Sequence, residues 1–152
     1  MDLNAHCGGG TQSLISDDPR IWQLDVSVDS FDSYKQTERT TVDIVQSANN
    51  YLTTIDRWLA EIEDSGPSLD LCIYNAGMDP HENCSIGGMT GINAEILKER
   101  ERLVFSWCER RRIPVGFVLA GGYTSPAMSI DDLVALHRLT ISTAGKRPAA
   151  TD

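Results

Sequence analysis

The chain has 152 residues, with 22 acidic against 13 basic side chains and a net charge of -9, which fits one domain able to bury its own core and argues against a nucleic-acid surface. The acidic balance leans toward cationic partners such as lysine peptides or polyamines. Cys7, Cys72, Cys84 and Cys108 show no paired CxxC spacing and no apolar run approaches the length of a membrane span, so the expected setting is a reducing cytoplasm with no membrane partner.

In chain order, Met1-Asp2-Leu3-Asn4-Ala5-His6 alternates polar and apolar residues, the pattern of a strand with side chains 2, 4 and 6 on one face. A carboxylate, a carboxamide and an imidazole on one face suit a divalent metal such as zinc, and Gly8-Gly9-Gly10 then allows a tight turn. A short helix is expected over residues 11 to 16 and a second strand over 20 to 27, followed by a polar loop from Ser30 to Arg39. From Thr41 to about Asp64 the apolar positions Ile44, Ala48, Tyr51, Leu52, Ile55, Trp58, Leu59 and Ile62 keep helical spacing, and Ser65-Gly66-Pro67 stops it.

Residues 69 to 74 form the next expected strand, leaving through Asn75-Ala76-Gly77-Met78-Asp79-Pro80 and a loop prolonged by Gly87, Gly88 and Gly91. Asn93 can cap a helix from Ala94 to Arg112 with Ile96, Leu103, Val104 and Trp107 inward. A fourth strand over 114 to 119 ends in Ala120-Gly121-Gly122-Tyr123-Thr124. A last helix over 130 to 143 places Leu133, Val134, His137 and Ile141 inward, and residues 145 to 152 read as a flexible tail after a domain spanning 1 to 144. Alternating strands and helices imply a three-layer α/β/α arrangement around a mainly parallel sheet, which gathers ligands at the carboxyl ends of its strands. His6, Asp79 and Tyr123 each follow the body of a different strand and are expected at one rim.

The ordered set Asp2-Leu3-Asn4-Ala5-His6 with Gly8-Gly9-Gly10-Thr11, Asp25, Asn75-Ala76-Gly77-Met78-Asp79, Gly87-Gly88-Met89 and Gly121-Gly122-Tyr123 resembles the zinc-dependent histone deacetylase family, closest to its class IV and bacterial deacetylase-like amidohydrolases. The resemblance implies part of an arginase/deacetylase-type fold, matching roughly the C-terminal half of the family's catalytic domain. It places zinc ligands at Asn4, His6 and Asp79, the transition-state tyrosine at Tyr123, a structural monovalent cation such as potassium near Asp2 and Asp25, and pocket backbone at Gly121 and Gly122. The implied reaction is hydrolysis of an acetyl-lysine or related acetylamide such as an acetylpolyamine. Two departures stand out: Asn4 occupies the position of a zinc-binding aspartate, and the family's adjacent pair of acid/base histidines has no counterpart among His6, His81 and His137.

Away from the resemblance, His137 is expected to be a packed histidine, His81 a solvated loop side chain, Cys7 a small buried hydrophobe, and Arg110-Arg111-Arg112 a cationic helix end. Three functions are consistent with these features. The chain is a weak or inactive zinc hydrolase fragment whose N-terminal half is supplied elsewhere, a non-catalytic remnant with a ligand pocket, or an interaction module whose uncovered surface pairs in a homo-oligomer.

Overall fold

The computed structural model describes residues 1–146, so most of the expected tail lies outside the described residues. Chain order is α1 (Gly9–Ile15), β1 (Gln23–Ser27), β2 (Thr40–Ile44), α2 (Ala48–Ser65), β3 (Cys72–Asn75), α3 (Ala94–Arg110), β4 (Val115–Val118) and α4 (Ile130–Ala144). β1 pairs in parallel with β2, from Gln23 opposite Thr40 to Ser27 opposite Ile44. β3 pairs in parallel with β4, from Cys72 opposite Val115 to Asn75 opposite Val118. Asp2 joins the two ladders through parallel bridges to both Asp25 and Asn75. The strands therefore run β2, β1, the Asp2 segment, β3, β4, all parallel, which makes the chain a mixed α/β domain.

The first strand is much shorter than its alternating sequence suggests, with Asp2 bridged and residues 4 to 6 bent. The reason is local: the Asn4 N–H donates to the Asp2 carboxylate at 3.1 Å rather than to a neighbouring strand. The alternation of faces nevertheless survives, because Leu3, Ala5 and Cys7 are buried while Asp2, Asn4 and His6 are only half-buried.

β2 corrects the expectation of one helix starting at Thr41. Thr40, Thr41, Val42 and Ile44 carry β-branched side chains that suit a pleated ladder, and the coincidental spacing of Ile44 with Ala48 and Tyr51 only mimics helical periodicity. The helix begins after Ser47, whose side chain accepts the Asn49 N–H. Asp43 on β2 then receives Arg57 at 2.7 Å and the Trp58 indole N–H at 2.9 Å, tying α2 to the strand before it.

Helices α2 and α3 lie on the sheet side that carries Cys72 and Tyr74, and α4 packs against α3. Tyr51, Ile55 and Leu59 form the buried stripe of α2, Leu97, Val104, Trp107 and Cys108 that of α3, and Leu133 and Leu136 that of α4. Val134 and Ile141 are exposed, contrary to the inward face read for the last helix. Their spacing matches a helix stripe, but the buried stripe lies one notch round the helix, at Leu133, Leu136 and Thr140. On the opposite side of β3, Ile73 is 58 % exposed, and Leu71 and Val118 nearby are also exposed.

Candidate functional site

Three pairs of residues tie the N-terminal segment to the end of β3, each two residues further along both chains. Asn75 Nδ2 donates to Asp2 Oδ2 at 3.1 Å, the Gly77 N–H donates to Asn4 Oδ1 at 2.8 Å, and His6 Nδ1 faces Asp79 Oδ2 at 3.4 Å. The parallel sheet geometry thus continues as side-chain pairing beyond the last backbone bridge. His6 and Asp79, 73 residues apart, meet at the strand rim as the sequence implies.

Asp79 is buried, and its Oδ1 has no hydrogen-bond partner. Burial raises its carboxyl above the usual carboxylate range. The glycine turn after β4 closes over it: the Met78 N–H donates to the Gly121 carbonyl at 3.0 Å, and Gly121 has a φ of +85°. A Cβ on Gly121 would lie 2.7 Å from Asp79 Oδ1, so both the backbone conformation and the close approach require glycine. Gly122 follows at φ +133°, and the Tyr123 side chain emerges exposed beside this turn.

Behind these groups lies a buried ion pair that the sequence reading missed. Arg100 and Glu101 on α3 are fully buried, with Arg100 Nη2 at 2.6 Å from Glu101 Oε1. Arg100 Nη1 donates to the Leu3 carbonyl at 3.1 Å and to the Gly77 carbonyl at 2.8 Å. The Tyr51 hydroxyl also donates to the Leu3 carbonyl at 2.7 Å, and the Tyr74 hydroxyl donates to Glu101 at 3.0 Å. One guanidinium therefore fixes both segments that carry the site. Its signal in the sequence was helical spacing: residues 97, 100, 101, 104, 107 and 108 form one buried stripe, in which the two charges sit among apolar neighbours.

Asp25 lies on the other side of Asp2. It accepts the Gly8 N–H at 2.8 Å and the Gln23 amide at 3.0 Å, and burial, with the neighbouring Asp2 charge adding, pushes it up to about 6. Asp2 is also raised by burial. The buried oxygens Ser27 Oγ, Gln23 Oε1 and Asn75 Oδ1 lack partners in the same region of the sheet. Gln23 and Ser27 carry no sequence signal beyond their place on a strand.

The remaining histidines do not supply a pair beside Asp79. His81 is buried rather than solvated, and its Nδ1 accepts the Asn83 N–H at 3.2 Å. His137 stands behind the glycine turn, with Nε2 3.3 Å from where a Gly122 Cβ would be. Cys7 is buried as expected. Among the described residues no three His, Cys, Asp or Glu side chains form a metal-binding group. The donor chemistry explains this: His6 and Asp79 converge, whereas the third position holds a carboxamide whose oxygen already accepts the Gly77 N–H. The residues present therefore match two positions of a three-ligand zinc site and do not complete it.

An uncharacterized protein of Picosynechococcus sp. is 32 % identical over 142 residues, covering 91 % of this chain and 46 % of that protein. A protein of Arabidopsis thaliana described as histone deacetylase 2 is 27 % identical over 146 residues, covering 91 % of this chain and 37 % of its own length. The chain thus spans less than half the length of these curated relatives. The histone deacetylase domain family matches residues 1–137, a span that includes the His6–Asp79 rim and the Gly121 turn, and the chain belongs to that family.

Proposed function

We propose that this chain supplies part of a deacetylase-like amide pocket, with acetyl-lysine or a related acetylamide as its ligand class, and that by itself it turns over little or nothing. The observation that carries this reading is the juxtaposition of His6 and Asp79, at 3.4 Å, beneath the glycine turn that leads to Tyr123. Family membership supports the ligand class. A cationic substrate tail also suits a chain of net charge -9.

In the proposed pocket the His6–Asp79 pair forms the polar floor, and the exposed Tyr123 side chain supplies the hydroxyl donor for the carbonyl oxygen. A base is missing. His81 Nδ1 is occupied by Asn83, His137 lies behind Gly122, and a positioned base is worth about 10² to 10⁴-fold. The half-buried carboxylate of Asp2 and the buried one of Asp25, with Ser27 Oγ unpartnered, are the groups that would hold a monovalent cation such as potassium, whose charge would offset their desolvation.

Calorimetry with an acetyl-lysine peptide, beside a deacetylation assay, tests both halves. Binding that weakens in Asp79→Ala, without turnover, is expected. Absence of binding at millimolar peptide overturns the ligand class, and robust turnover abolished by Tyr123→Phe overturns the inactivity.

A second reading is favoured by the exposed apolar side chains of the β3–β4 edge, Leu71, Ile73 and Val118. It is an interaction module in which that sheet face pairs with a second copy of this chain.

A further inference from the structure

The Asn4 side chain has one atom able to bind a metal, and the fold has engaged it. The Gly77 N–H donates to Oδ1 at 2.8 Å, and because an N–H cannot donate to an NH2 group, the orientation of the carboxamide is fixed by chemistry. Gly77 is buried, and among the described residues its N–H has no other acceptor. A side chain at position 77 would collide with Asn4 Oδ1 and the Ala120 carbonyl oxygen, so the backbone there is shaped around this contact. The other terminal atom of Asn4 is Nδ2, a donor with no lone pair to offer a cation.

Resting on the pocket proposed above, we infer that Asn4 is the anchor of the 76–79 turn and not a metal ligand, so that this one residue keeps the His6–Asp79 pair from closing a zinc site. Zinc draws on three protein ligands in catalytic centres and favours anionic oxygen, imidazole nitrogen and thiolate. His6 and Asp79 provide two of these. For Asn4 to provide the third, Oδ1 must either share its remaining lone pair while polarised by the Gly77 N–H or abandon a buried backbone donor. A carboxylate at position 4 has no such conflict. One oxygen keeps the Gly77 N–H, and the second becomes a free anionic ligand where the NH2 group was.

Titration of the metal-free protein with zinc chloride by calorimetry reads this directly. Asn4→Asp is expected to bind zinc at least about 10-fold more tightly than the wild-type chain, since disturbing even the groups that orient ligands changes affinity roughly 10 to 100-fold. Adding His6→Ala to Asn4→Asp should remove the gain. In the wild-type chain, amide NMR should show the Gly77 N–H protected from exchange and unmoved by zinc. Equal zinc affinity of wild type and Asn4→Asp overturns the assignment, as does a zinc-induced shift of the Gly77 amide together with the Asn4 NH2 signals. Should Asn4→Asp fail to fold, the wild-type NMR titration decides alone. Acetyl-lysine binding in the presence of a chelator is scored separately: its loss counts against the ligand class, while the zinc comparison counts for or against Asn4.

Discussion

Replacing Arg100 by methionine removes the group that joins α3 to both halves of the site. The guanidinium is fully buried, pairs with Glu101 at 2.6 Å and satisfies the carbonyls of Leu3 and Gly77 at 3.1 and 2.8 Å. Breaking a buried pair on one side costs about 3–5 kcal/mol, because the partner charge stays buried without compensation. The Gly77 carbonyl also loses its donor from Arg100, whereas the Leu3 carbonyl keeps the Tyr51 hydroxyl, so about 1–3 kcal/mol more is at stake for the unsatisfied group. These contributions overlap, and a total loss of at least about 3 kcal/mol is expected, a large share of the roughly 5–15 kcal/mol that holds a typical domain. Urea unfolding followed by circular dichroism measures it, with Arg102→Met as the control. Arg102 pairs with Glu99 at the surface, where such pairs contribute about 0–1 kcal/mol. The double variant Arg100→Met/Glu101→Met should recover part of the loss, since both charges leave the core together. An Arg100→Met protein within about 1 kcal/mol of Arg102→Met would refute the role given to this pair.

Gly77→Ala should destabilise the chain by roughly 1–3 kcal/mol through overpacking against Asn4 and Ala120, read as a lowered urea midpoint, while Gly10→Ala, with only Asp32 nearby at 3.7 Å, should be close to neutral on packing grounds. His137 is held below its usual value of 6.5 by burial first and by the Arg100 charge second. Its contribution to stability is therefore complete above pH 6.5 and is lost as pH falls through and below that value, because the unfolded chain takes up the proton first. Thermal unfolding from pH 8 to 5 should show a smaller acid-side decline in His137→Gln than in wild type, and parallel curves would contradict it. If the exposed β3–β4 face pairs chains, light scattering should return a dimer that Ile73→Lys converts to monomer, and a wild-type monomer at micromolar concentration would count against the module reading.

The sequence alone determined most helices, the strand bodies around 23–27, 72–75 and 115–118, and the ordered motifs that mark the family, because periodicity, caps and glycine turns are local signals. It also placed His6 and Asp79 together, since parallel strands bring their carboxyl ends to one rim. It misread β2, where a chance i, i+4 spacing of Ile44 and Ala48 extended the helix backwards across a run of β-branched residues. Tertiary structure alone decided that Arg100 and Glu101 are core residues, because a buried charge is tolerated only where carbonyls and hydroxyls from distant segments happen to meet it. It decided as well what Asn4 does. The family resemblance marks that residue as a weakened ligand, but which of its two terminal atoms is left free depends on a single backbone N–H 73 residues away, and no local pattern encodes the direction of that bond.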